Sequence, residues 1–191
     1  QAFLSDSLEN GAGYCRWLAE PAPFKRLLDS ACGISPKSVS AKWIQEAHLK
    51  RCDTSCNDCL REFYNLPYHG LLDWRLALDM ARLAASATQA PYLVQPPAPG
   101  LPNHWQSLID RPETSLCRSL MQFGFKRQET ESSACFVSSH HHKVLIPSHP
   151  LWSEEHPTLQ ALTSLLEQTY PGYAIQPLDL FMGLRRPADF L

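Results

Sequence analysis

The apolar residues of this chain fall at helical spacing through its first half and at mixed spacing through its second. In "LLDWRLALDMARLAASA", Leu72, Leu76, Met80 and Leu83 recur at intervals of three and four among strong helix formers, the pattern of an amphipathic helix. Upstream, "SPKSVSAKWIQEAHLKRC" sets Trp43, Ile44 and Ala47 at helical spacing, with Ser38 or Ser40 as the N-cap. "PFKRLLDSAC" predicts a short helix opened by Pro23. Before it, "QAFLSDS" reads as the end of a strand, and Gly11 and Gly13 supply a turn into a helix that carries Tyr14, Trp17 and Leu18 on one face.

Beyond residue 103 the pattern changes. "ETSLCRSLMQFG" has helical spacing, with Gly124 placed to close it. "SACFVSS" and "HKVLIPS" are short, apolar and β-branched, and they flank "HHH" as a hairpin would. "HPTLQALTSLLEQTYPGY" is a further amphipathic helix stopped at Pro171-Gly172, and "YAIQPLDLFMGL" predicts a strand followed by a turn. Between the halves, "QAPYLVQPPAPGLPNHW" carries Pro91, Pro96, Pro97, Pro99 and Pro102, which neither a helix nor a central strand tolerates. The chain therefore divides into a helical region 1–90, a proline-rich connector 91–103 and a mixed α/β region 104–191.

Composition narrows the functional classes. At 44% hydrophobic and 19% charged residues, the chain has the make-up of a folded globular protein, and 191 residues suffice for a real core. A formal net charge of -2 gives no global attraction to nucleic acid, although a local basic patch can exist within it. No apolar run reaches the length of a membrane span, so no membrane partner is expected. The chain lacks an initiator Met, and it reads as the downstream part of something longer.

Seven cysteines make an odd count, and three of them crowd into "CDTSCNDC", too close to staple long loops. This favours a reducing, cytoplasmic setting and a metal site. Cys52, Cys56 and Cys59 follow C-x3-C-x2-C, and cysteines two to four residues apart can clasp a tetrahedral zinc from one tight turn. The residues between them are polar turn formers, which does not suit three core thiols. Asn57-Asp58 also differs from the apolar or Gly-Pro centre of a redox C-x2-C. His69, in the irregular stretch before the next helix, is the first choice for the fourth ligand, with Cys32, Cys15 and His48 as alternatives. Four protein ligands would make a single zinc structural. The expected fold is thus α+β: a mainly helical first half with a zinc knuckle between two helices, then a smaller mixed α/β half with a short hairpin.

Other constellations carry less chemistry. His140 and His142 could join Asp179 or Glu155 around a second metal, as a hydrolase or nuclease would require. "DSLENGAGY" lacks the lysine and hydroxyl residue of a phosphate loop, and Asp6 and Glu9 suit a helix entry. Lys50, Arg51, Arg185 and Arg186 are candidate phosphate contacts. "PSHPLW" and the proline joint could instead serve as docking surfaces in a pure protein-interaction module.

Taken in order, "LSDSLENGAGYCRWLAEP", "CDTSCNDCLREFYNLPYHGLLDWRLAL", "VLIPSHPLW" and "LFMGLRRP" resemble the C-terminal zinc-binding region of MrfA-like (YprA-like) superfamily 2 DEAD/DEAH-box helicases. The resemblance is densest in the first 90 residues. It implies a prokaryotic DNA helicase whose ATP-binding motor lies upstream, with DNA and other repair or phage-defence proteins as partners. This part would be a non-catalytic accessory module that shapes the DNA path or docks partners. The resemblance also implies zinc ligation by Cys52, Cys56 and Cys59. Relatives with four cysteines place the last one shortly after the C-x2-C; here "LREFYN" has none, which leaves His69 in that role.

Overall fold

The computed structural model describes residues 13–32, 37–86, 93, 104–130 and 134–191. The expected opening strand, the Gly11 turn, Asp6 and Glu9 lie outside these residues, as does the proline-rich connector apart from Leu93. The architecture is α+β, with helices and a four-stranded mixed sheet.

In the first half, α1 (Tyr14–Leu18) and α2 (Pro21–Ala31) are followed by a series of turns and a single helical turn, α3 (Glu46–Leu49). Pro21 rather than Pro23 opens α2, after Glu20 in an extended conformation. Ser38 and Ser40 cap no helix. The Ser40 hydroxyl is spent on the Ala31 carbonyl, and α3 starts only after Gln45. The polar cysteine loop then leads through a 3₁₀ segment (Phe63–Tyr68) to α4 (Trp74–Ala85). Asp73 caps α4 by accepting hydrogen bonds from the Arg75 and Leu76 amides, which satisfies two of its free N–H groups.

The buried face of α4 is not the apolar stripe that spacing predicts. Met80 is 56% exposed, while Trp74, Arg75, Leu78, Asp79 and Arg82 are buried. Charged side chains can face inward here because the second half supplies partners for each of them.

That second half is a three-layer sandwich. α5 (Gln106–Asp110) and α6 (Ser115–Gln122) lead into β1 (Lys126–Glu129), β2 (Ala134–Ser138) and β3 (Lys143–Ser148). α7 (Pro157–Thr169) crosses back to β4 (Ala174–Asp179), and α8 (Leu180–Arg185) follows where only a turn is expected from sequence. The order is β1-β2-β3-β4; β1, β2 and β3 run antiparallel, and β4 lies parallel to β3. Strand alternation sends Phe136, Leu145 and Leu178 to one face, against Leu108, Leu116 and Leu120. Cys135, Val144 and Ile146 face the other way, onto Leu159, Leu162 and Leu166 of α7. Leu93 is buried in the first of these cores.

Both covered faces explain why "VLIP" is apolar throughout rather than alternating. The first-half core is much smaller: Cys52, Trp74 and Leu78 are its fully buried members, and Trp43, Ile44, Leu49 and Leu60 pack around them. A cluster of that size needs a staple to hold a loop of polar residues in place.

The two halves meet through buried polar contacts. The Arg75 guanidinium donates to the His104 carbonyl (2.9 Å), Trp105 Nε1 donates to Asp79 Oδ2 (2.6 Å), and His149 reaches the same oxygen at 3.0 Å. Arg185 of α8 donates to the Gly70 and Leu72 carbonyls at 2.7 and 2.9 Å.

Candidate metal centre

The site is built from one helical turn and the loop that leaves it. In α3 the Cys52 amide bonds the His48 carbonyl at 3.0 Å, so the helical hydrogen-bonding pattern runs on to Cys52. Residues four apart on a helical turn share a face, and this sets the imidazole beside the first thiol. The polar residues 53–58 then turn the chain tightly; the Cys59 amide bonds the Cys56 carbonyl at 3.0 Å, and the Cys56 amide donates to Cys59 Sγ at 3.1 Å. As a result the ligand atoms of His48, Cys52, Cys56 and Cys59 all lie within 4.8 Å of one another.

Three of the six separations inside this group match the edges of a coordination tetrahedron. Cys52 Sγ is 3.9 Å from Cys59 Sγ, Cys59 Sγ is 3.8 Å from Cys56 Sγ, and Cys56 Sγ is 3.5 Å from His48 Nε2. Metal–ligand bonds of about 2.3 Å for sulfur and 2.0–2.1 Å for nitrogen, at tetrahedral angles, give edges of about 3.8 Å and 3.6 Å. Disulfide bonding would need sulfurs about 2.05 Å apart, and all seven cysteines are free thiols.

The environment prepares these donors. His48 Nδ1 lies 2.8 Å from the Trp43 carbonyl oxygen. A carbonyl can only accept, so Nδ1 carries the hydrogen and Nε2 turns its lone pair to the thiols. The Trp74 indole packs edge-on against the same imidazole and donates to the Cys52 carbonyl at 3.2 Å. His48 and Cys52 are buried, while Cys56 and Cys59 are half-buried.

Hydrogen bonding to Cys59, reinforced by burial, pushes the Cys52 thiol up, and the same hydrogen bond pulls Cys59 down to about 5. These two sulfurs therefore resist ionising together unless a cation joins them. A metal ion meets that need, and this donor set fits one.

The fourth member of the cluster is His48, not His69. His69 Nε2 sits 2.8 Å from Asn65 Oδ1 and 3.1 Å from the Glu62 carbonyl, which makes it part of the 3₁₀ segment's own bracing. The physical reason is the capping of that segment: Asn65 Oδ1 also accepts from the Glu62 amide at 2.9 Å, and the imidazole is drawn into this local network. Cys32 and Cys15 do not join the cluster either; the Cys32 carbonyl receives Arg82. Comparisons of the chain with family models, curated proteins and solved structures gave no match.

The remaining sequence candidates are placed as follows. Lys50 pairs with Glu46, and Arg51 lies 3.8 Å from Asp58, all on the exposed surface. Besides its two carbonyl contacts, the Arg185 guanidinium stacks 3.6 Å over Phe181 and lies 3.6 Å from Asp73 Oδ2, so it ties α8 to the start of α4. Arg186 bonds the Met182 carbonyl through its backbone amide.

The "HHH" residues form the hairpin tip itself, where strand alternation does not apply. His141 stacks on Phe125 and bonds the Phe123 carbonyl. The Ala174 amide bonds the His142 carbonyl at 2.8 Å, while Asp179 lies at the far end of β4. Five residues of strand separate them by about 17 Å. Among the described residues, no second group of three or more His, Cys, Asp or Glu side chains gathers its ligand atoms in this way. No described helix is long and apolar enough to cross a membrane.

One surface feature adjoins the cluster. Phe63 and Tyr64 are 78% and 93% exposed, and Leu66, Tyr68 and Leu71 continue the strip, an unusual concentration of apolar side chains facing solvent.

Proposed function

We propose that this chain is a zinc-binding, non-catalytic accessory domain at the C-terminus of a cytoplasmic, ATP-dependent DNA helicase. The observation that carries the zinc assignment is the gathering of one imidazole nitrogen and three sulfurs within 4.8 Å of one another, a donor set that suits zinc better than calcium or magnesium. With all four positions taken by protein atoms, the ion would close the loop between α3 and the 3₁₀ segment and leave no open site for substrate. Its role is then to hold the small first-half core together, as metal-binding energy added to folding energy.

The helicase assignment is supported by the resemblance in the residues around the cysteine loop. ATP turnover and strand separation belong to the upstream motor, and this part contributes shape, DNA contact and docking. The test is titration of fluorescent single-stranded and duplex DNA with the zinc-loaded chain at low and physiological salt. Salt-sensitive binding that weakens in Lys50→Ala/Arg51→Ala supports a share in the DNA path. Absence of binding to either DNA at low salt counts against it.

A pure protein-interaction module is the second reading, and the exposed strip from Phe63 to Leu71 favours it. The basic residues just before the cysteine loop are balanced, Lys50 by Glu46 and Arg51 by Asp58, which suits a protein surface better than a phosphate backbone. A hydrolase built on His142 and Asp179 has no comparable support.

A further inference from the structure

We infer that Asp53 couples metal loading of the cysteine loop to the packing of the second half, so that occupancy of the site is transmitted to the N-terminus of α6. This rests on the reading of His48, Cys52, Cys56 and Cys59 as a metal site, and it concerns what the loop does beyond holding the ion.

Asp53 follows the first thiol directly, so the position of Cys52 sets the position of Asp53. Its carboxylate crosses to the second half, where Oδ2 accepts from the Ser115 amide at 2.7 Å and Oδ1 lies 3.7 Å from the Arg111 guanidinium. Ser115 is the first residue of α6, and the first turn of that helix contains no acidic side chain of its own. Asp53 therefore supplies, from 62 positions away, both the missing acceptor and the negative charge that a helix N-terminus favours. Thr114 meets the neighbouring Cys117 amide, so the two side chains share the capping of one helix.

The backbone on either side of the carboxylate is held with equal economy. The Cys52, Asp53 and Thr54 carbonyls accept from Trp74 Nε1, Arg75 Nη1 and the Trp74 amide at 3.2, 2.6 and 3.0 Å. These bonds hold the loop to α4 only while the loop keeps its shape. The cysteine residues have little other packing to keep it so, since the apolar cluster around them is small. Of the other bridges between the halves, Asp79 with Trp105 and His149 and Arg185 with Gly70 and Leu72 involve no residue of the cysteine loop, whereas Arg75, which joins the His104 carbonyl, also holds the Asp53 carbonyl. Loss of the ion should therefore loosen one edge of the contact between the halves and leave the rest in place.

The experiment is hydrogen–deuterium exchange on the full chain, zinc-loaded and after chelation, with metal content measured on each sample, for wild type, Asp53→Ala and Asp53→Asn. Chelation is expected to raise exchange at residues 111–118 at least tenfold and to leave β2 and β3 protected. Asp53→Ala should keep one zinc per chain yet show the faster exchange at 111–118 even when loaded. Asp53→Asn, which retains an acceptor for the Ser115 amide, should recover much of the protection. Residues 111–118 unchanged after verified zinc loss, or zinc-loaded Asp53→Ala identical to wild type, would overturn the coupling while leaving the metal site standing. A wild-type chain that binds no zinc removes the metal reading itself.

Discussion

His149 donates its Nε2 hydrogen to Asp79 Oδ2 across 3.0 Å, joining a loop after β3 to the middle of α4, 70 positions earlier in the chain. The tautomer follows from the other ring nitrogen: Nδ1 accepts from the Leu151 amide at 3.0 Å, so Nε2 must carry the hydrogen. The same carboxylate receives Trp105 Nε1 and lies 3.4 Å from Arg82, and all four side chains are buried.

Replacing Asp79 by Ala would strand these donors without water. The expected cost is about 3–5 kcal/mol, the size seen when one partner of a buried ionic network is removed. Denaturant unfolding of the zinc-loaded variant checks this, and a change under 1 kcal/mol would contradict it.

His104 gives the fold an acid-sensitive point. Burial pushes its imidazole down to about 3, and the nearby Arg82 guanidinium adds to the effect. In the unfolded chain the ring takes up a proton near the ordinary value of about 6.5. Between these two values the unfolded state holds the extra proton, so this contribution is complete above about pH 6.5 and is lost as pH falls toward 3. Going from pH 7 to pH 5 should remove about 2 kcal/mol through this group. His104→Gln should flatten the pH dependence by that amount at saturating zinc; equal slopes in both proteins would refute the assignment.

Arg185 acts as a strut. Arg185→Ala is expected to lower stability by about 2–3 kcal/mol through its lost carbonyl bonds, and Arg185→Lys should not restore it, since an ammonium cannot span the fork to Gly70 and Leu72. Thermal unfolding at fixed zinc concentration reads both.

Gly183 marks a close approach of α8 to β4 and α6. A Cβ at this position would meet Leu178 Cδ1 at 2.9 Å and Leu116 Cδ1 at 3.2 Å. Gly183→Ala should cost about 1–3 kcal/mol by overpacking, measurable as a lower unfolding midpoint without loss of zinc.

What the sequence reveals depends on whether a position announces itself by apolar periodicity. The α4 and α7 helices and the hairpin around residues 139–142 do so. The Cys loop does so by spacing. The strand β1 does not, because "KRQE" is an edge strand whose side chains mostly face solvent. The inward face of α4 is hidden for a different reason: Arg75, Asp79 and Arg82 read as surface residues until their partners at 104, 105 and 149 are in place. In the sequence His48 is legible only as one alternative among several. Its four-residue step to Cys52 is the signal that would have selected it, since that step puts both on one face of a helical turn, whereas His69 stands in a segment that caps itself.

The most direct test of the metal assignment is zinc content by native mass spectrometry of wild type, His48→Ala and His69→Ala. One zinc per chain is expected in wild type and in His69→Ala. In His48→Ala, loss of one of four ligands removes about a quarter of a binding free energy of ~12 kcal/mol, which weakens zinc roughly a hundredfold. A folded wild-type chain free of zinc, or loss of zinc in His69→Ala with retention in His48→Ala, would contradict this account.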